Sequence, residues 1–110
     1  MQRFKKYVGK EILSDHVRNV DHIQTYGLEC RYVPEHLEEF EECEYVTDFE
    51  GRPLVVCVAV LEGKVKRVMF VLTDQEDPEA VAPLTETQLT AFLDDQGKQL
   101  VQFFEYITHS

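Results

Sequence analysis

Apolar residues recur every three or four positions at the two ends of this chain, and every second position in its middle. Phe4, Val8 and Ile12 are spaced by four. Leu13, Val17, Val20 and Ile23 continue at four and three. Such spacing lines up one face of a helix and predicts helical structure over residues 2–24. The two stripes are offset by one residue near Gly9–Ser14. One drifting helix fits this, and so do two short helices, the second capped by Ser14-Asp15. Gly27 is suited to end the segment in the left-handed conformation. Leu28–Val33 then alternates, which predicts a short strand. Pro34 followed by acids suits a helix start, so a short helix is expected over Glu35–Phe40.

From Cys43 the period becomes two. Cys43, Tyr45, Thr47 and Phe49 share one face; Glu42, Glu44, Val46, Asp48 and Glu50 share the other. This is a strand with an almost wholly acidic outer face. Gly51-Arg52-Pro53 reads as a turn. Leu54–Leu61 is an unbroken apolar run, the mark of a buried strand. Glu62-Gly63 reads as a two-residue hairpin loop, and Lys64–Leu72 as the returning strand. Asp74–Pro83, with Pro78 and Pro83, reads as an acidic loop. Thr85 and Gln88 form a capping-box pattern, with Leu84 and Leu89 as its hydrophobic staple. The stripe Leu89, Phe92, Leu93, Leu100, Phe103, Phe104, Ile107 predicts a helix to the C-terminus, kinked or divided at Gly97.

These elements predict one α+β domain spanning 1–110. A three- to four-stranded antiparallel meander packs against N-terminal and C-terminal helices. The expected core is Phe4, Val8, Ile12, Val56, Val58, Val60, Met69, Val71, Leu89, Phe92, Leu100 and Phe104. Val55, Cys57, Ala59 and Leu61 fall on the other face of the sheet. They also need cover, which makes a homodimer a reasonable expectation.

Charge adds the sharpest feature. The net charge is −10, and it is unevenly placed. Residues 28–50 carry one basic and nine acidic groups; residues 51–73 carry four basic and one acidic. Half of the sixteen residues from Glu35 to Glu50 are carboxylates, and none is Lys or Arg. Leu37, Phe40, Tyr45, Val46 and Phe49 are interspersed, so the stretch reads as folded rather than as an acidic tail. Direct nucleic-acid binding is disfavoured, because it rests on clustered cations. The two basic clusters, Arg3/Lys5/Lys6/Lys10 and Lys64/Lys66/Arg67, are modest. No apolar run is long enough for a membrane span, and no signal-peptide pattern opens the chain, so a cytoplasmic setting is expected.

Candidate chemistry is sparse. Cys30, Cys43 and Cys57 are separated by twelve and thirteen intervening residues and form neither a CxxC nor a disulfide framework. His16 and His22 are six apart, about 120° from a shared face on one helix, so they are not expected to converge on a metal. No nucleophile motif or phosphate loop occurs. Neither catalytic residues nor a cofactor is therefore expected. The leading expectation is a protein-binding module that neutralises or inhibits a basic-cleft partner such as a toxin, a nuclease or a nucleic-acid-binding protein, in part by imitating phosphates. Its composition and class are those of many immunity proteins, antitoxins and inhibitors, an analogy of type only. Glu38, Glu41, Glu42, Glu44, Asp48 and Glu50 would meet the partner, with Phe40 and Tyr45 as anchors. Two rivals stand beside it. One is a small enzyme or ligand binder with a pocket between sheet and C-terminal helix. The other is an obligate-dimer scaffold or secretion-chaperone-like protein.

Overall fold

Alternation of buried and exposed positions turns the middle of the chain into a sheet. Strands β1 (Glu29–Tyr32), β2 (Glu41–Phe49), β3 (Arg52–Leu61), β4 (Lys64–Thr73) and β5 (Val81–Pro83) pair antiparallel in chain order. They belong to a computed structural model that describes residues 2–74, 76–77 and 79–109. Two tight turns set the register. Glu50-Gly51 and Glu62-Gly63 have positive φ at both residues, 52° and 77°, then 54° and 76°. This is type I′ geometry, whose twist matches the strands it joins. The turns close on the pairs Phe49–Arg52 and Leu61–Lys64. The expected Gly51-Arg52-Pro53 turn therefore sits one residue earlier, and Arg52 and Pro53 already belong to β3.

One sheet face holds the core. Cys43, Tyr45 and Phe49 of β2 are buried with Leu54, Val56, Val58 and Val60 of β3 and Val65, Val68, Phe70 and Leu72 of β4. The long helix (Glu86–Ile107) lies across them. It begins at the anticipated capping box, with Thr85 Oγ1 accepting from Gln88 N and Gln88 Oε1 accepting from Thr85 N. It passes through Gly97 without a break. A run of ring contacts ties helix, sheet and N-terminus together. Phe49 meets Phe92, Phe92 meets Phe70, and Phe70 meets Phe4; Phe4 then meets Phe104, Phe104 meets Phe103, and Phe103 meets Tyr45. The centroids are 4.8 to 5.6 Å apart. Most are edge-on, the arrangement favoured by the ring quadrupole.

The architecture is α+β, with five strands rather than three or four. β5 is the last three residues of the expected acidic loop; Pro83 is tolerated there because the strand is an edge. Pro78 lies outside the described residues. The N-terminal segment is not one helix. A 3-10 helix (Gln2–Tyr7) is followed by α1 (Ser14–Val17) and α2 (Val20–Gln24); the C-terminal helix is α3. Between the first two, backbone groups bond sideways. Gly9 N donates to Val65 O, Val65 N to Lys10 O, Ile12 N to Gly63 O and Leu13 N to Ile107 O. A helix through these residues would have to give up those bonds. As a result Val8 is 47% exposed and is not core.

Two more expected core residues face outward. A bulge opposite Ala59–Val60 makes Arg67 pair with Ala59 and Val65 with Val60, leaving Lys66 extra. An extra residue lets Val65 and Val68 both turn inward. Met69 (38% exposed) and the half-buried Val71 then lie on the outer face. The expected helix over Glu35–Phe40 is absent; the chain bends there and buries only Leu37 in that stretch. No described helix is long and apolar enough to cross a membrane.

Truncating Phe104, which contacts rings of the N-terminal segment and of α3, is expected to cost about 3–5 kcal/mol. Thr85→Ala, which removes the α3 cap, is expected to cost about 1 kcal/mol. Urea unfolding of both variants checks the order; equal losses would show that the ring contacts carry no special weight.

Candidate functional site

β2 is paired on both sides, and its orientation scatters the acids. Nine residues at the rise of a strand extend about 30 Å. Glu35, Glu38 and Glu39 are exposed in the bend before the strand, and Asp48 and Glu50 are exposed at its far end. Glu42 and Glu44 lie on the outer sheet face between them. There Arg67 approaches Glu42 at 3.8 Å, and Arg31 approaches Glu44 at 3.5 Å. These are open ion pairs, each worth about 0.2–1 kcal/mol. Asp48 Oδ2 accepts from Gly51 N at 3.4 Å within the turn. The anticipated set Glu38, Phe40, Glu41, Glu42, Glu44, Tyr45, Asp48 and Glu50 therefore does not form one patch.

Tyr45 is removed from that set by burial. Its side chain has no exposed surface, its ring packs on Phe103, and its hydroxyl donates to Val17 O at 2.7 Å. Phe40 is 50% exposed and remains available at the surface. Glu41 is half-buried at the start of β2.

The bond from Tyr45 has a structural consequence at the neighbouring residue. Val17 ends α1, and Arg18 follows it. Arg18 Nε donates to Ser14 O at 2.8 Å, and its Nη2 donates to Pro34 O and Glu35 O at 3.3 Å each. Gly63 N donates to Leu37 O at 3.0 Å. The 34–38 bend is thus held between α1 and the β3–β4 turn. Between these three pieces lies a groove of about 570 Å³. Ile12 and Leu37 supply its apolar surface; Asp15, Glu35, Glu38 and Glu62 supply carboxylates; Arg18 is the one Lys or Arg among the described lining residues. His36 Nδ1 lies 3.9 Å from Glu38 at the exposed margin.

Asp15, Glu35 and Glu62 were not singled out from sequence. They come from three separate segments, and only the placement of the bend and the turn unites them. Glu38 is the member that both readings share.

Histidine placement also differs from expectation. The chain breaks at Arg18–Asn19, so His16 and His22 are not on one helix. Both stack on Tyr106, with ring centroids 4.2 and 4.0 Å away. His16 Nδ1 lies 2.7 Å from Tyr106 O and His22 Nε2 2.9 Å from the Tyr26 hydroxyl. Asn19 Nδ2 donates to the Tyr106 hydroxyl at 2.9 Å. These contacts bind α1 and α2 to the end of α3. Among the described residues no group of three or more His, Cys, Asp or Glu is placed to hold a metal.

The thiols are set by burial. Desolvation pushes Cys43 and Cys57 up to about 11, and Cys30 is raised as well. Burial, with Glu105 accepting from its hydroxyl, pushes Tyr7 up to about 12. In each case the neutral form is favoured by the fold, so the unfolded chain loses its protons first. Stability is therefore expected to be retained below pH 9 and lost as pH rises through 9–12. Equilibrium unfolding across that range checks the sign; a flat profile would contradict it. No protein family, curated protein or solved structure matches this chain.

Proposed function

We propose that this chain is a cytoplasmic protein-binding module that takes a Lys- or Arg-rich segment of a basic partner into the groove between α1, the 34–38 bend and the β3–β4 turn. By covering such a segment it neutralises or inhibits its partner, in the manner expected of an inhibitor or immunity-type protein. Four carboxylates meeting around an apolar base carry the reading. Arg18, the cation in their midst, directs its guanidinium to backbone carbonyls and not to those carboxylates.

The shape of the site suits a long basic side chain. Such side chains lay an apolar stem on apolar surface and keep the charged head at the polar rim. Ile12 and Leu37 supply the first, and the carboxylates supply the second. Three or four open charge pairs contribute together about 1–3 kcal/mol, which is roughly 10- to 100-fold in affinity and is screened by salt. Charge at this level favours fast, steered association, and the apolar contacts add residence time.

Binding rather than catalysis is proposed. The recess that touches both the sheet and α3 at the β4–β5 edge is lined by Val68, Met69, Phe70, Val71, Pro83, Leu84 and Leu89, with neither His nor carboxylate among them. The thiols of Cys43 and Cys57 are held protonated at neutral pH.

Titration calorimetry with an Arg/Lys-rich peptide tests the site. Replacing Asp15, Glu35 and Glu62 together by Asn, Gln and Gln is expected to weaken binding roughly tenfold or more at low salt. Replacing Asp48 and Glu50 in the same way is expected to change it little. Equal effects of the two variants would show that net charge, and not the groove, holds the peptide.

A further inference from the structure

Lys5 from one of the modest basic clusters of the sequence meets Lys66 and Arg67 from the other in the fold. The paired backbone bonds Gly9 N to Val65 O and Val65 N to Lys10 O lay the N-terminal segment along the start of β4. Between them is a cleft of about 190 Å³. Phe4, Val8 and Val68 line it with apolar surface, and Lys5, Lys66 and Arg67 ring it with positive charge. Val8 is left 47% exposed at this spot.

The cleft is small and bounded by acids. Glu42 stands 3.8 Å from Arg67, and Glu105 stands 3.8 Å from the neighbouring Lys6. An extended phosphate backbone carries a charge every few ångströms and would run onto those carboxylates. A short segment with one apolar anchor and an adjacent acid matches the cleft better. The chain displays such a segment itself. Phe40 is 50% exposed and follows the exposed Glu39 in the bend before β2.

Segment and cleft are at the same end of the sheet. Glu41 pairs with Val60, and Val60 pairs with Val65, the residue bonded to Gly9 and Lys10. Two strand spacings, about 10 Å, separate them. Two copies related by a two-fold axis can therefore exchange segments reciprocally, which closes the assembly as a dimer instead of extending it as a filament.

We propose that Phe40, flanked by Glu39, enters the Phe4/Val8/Val68 cleft of a second copy, with Lys5 and Lys66 of that copy facing Glu39. Neither Glu39 nor Phe40 lines the groove proposed for the basic partner, so the two readings stand or fall separately.

Sedimentation velocity over a wide concentration range tests this on the whole chain. Dimer is expected at high concentration and less of it at high salt. Phe40→Ser is expected to weaken association roughly tenfold or more. Lys5→Glu with Lys66→Glu, and separately Glu39→Lys, are each expected to give monomer while circular dichroism stays unchanged. Mixing those two variants restores opposite charge at both exchanged contacts and is expected to restore the dimer. A wild-type monomer at every concentration overturns the proposal. So does a dimer indifferent to Phe40→Ser, or a mixture that fails to associate. Capture of a single-stranded oligonucleotide by a chain that stays monomeric overturns it in favour of a polyanion.

Discussion

The hydroxyl of Tyr45 is the contact on which the surface of this molecule depends. A buried phenol must find an acceptor, because an unmet polar group in the interior costs about 1–3 kcal/mol. Here the acceptor is the carbonyl of Val17 at the end of α1, 2.7 Å away. Burial and the nearby thiols push the phenol far above its ordinary range, so it stays a donor. That bond, with the buried Val17 side chain and the stacking of His16 on Tyr106, fixes the four-residue α1 against the core. Arg18, next in the chain, then reaches the carbonyls of Pro34 and Glu35. The groove and its carboxylates follow from the placement of those two segments.

Placement also explains how a chain of net charge −10 remains compact. Strand parity sends Glu42 and Glu44 to the outer sheet face, where Arg31 of the adjacent β1 approaches Glu44 and Arg67 of β4 approaches Glu42 from across β3. Val55 and Ala59, on the same face, are only 2% and 3% exposed. Much of that face is therefore covered from within the chain. Four further carboxylates, Asp15, Glu35, Glu38 and Glu62, meet at the end of the sheet where the 34–38 bend, α1 and the β3–β4 turn come together. The acidic face and the basic cleft lie at this same end, and that nearness gives the end two different complementary surfaces.

The sequence disclosed what local chemistry decides. The hairpin at Glu62-Gly63, the parity of β2, the capping box at Thr85 and the core face of α3 were all readable from spacing and residue type. Its failures share a physical origin in non-local contact. One continuous helix over residues 2–24, the first of the two arrangements its spacing fits, is ruled out by backbone bonds from residues 9–13 to the β3–β4 turn, β4 and α3. One bulge residue, Lys66, reversed the parity that was read for Met69 and Val71. Pro34 and its acids suggested a helix start, but the carbonyls of Pro34, Glu35 and Leu37 are engaged by Arg18 and Gly63 instead. The acidic block was the loudest signal in the chain. It held two groove residues, Glu35 and Glu38, together with the exposed Phe40. Asp15 and Glu62 lie outside the block, and only tertiary structure makes them neighbours of Glu35 and Glu38.

Backbone amide shifts followed by nuclear magnetic resonance during titration with a Lys/Arg-rich peptide locate the surface that takes the basic segment. Changes are expected only in Ile12–Arg18, Glu35–Glu38 and Glu62–Gly63, the three segments that build the groove. Changes centred on the outer face of β2, from Glu42 to Asp48, or spread evenly over every exposed carboxylate, would contradict that expectation.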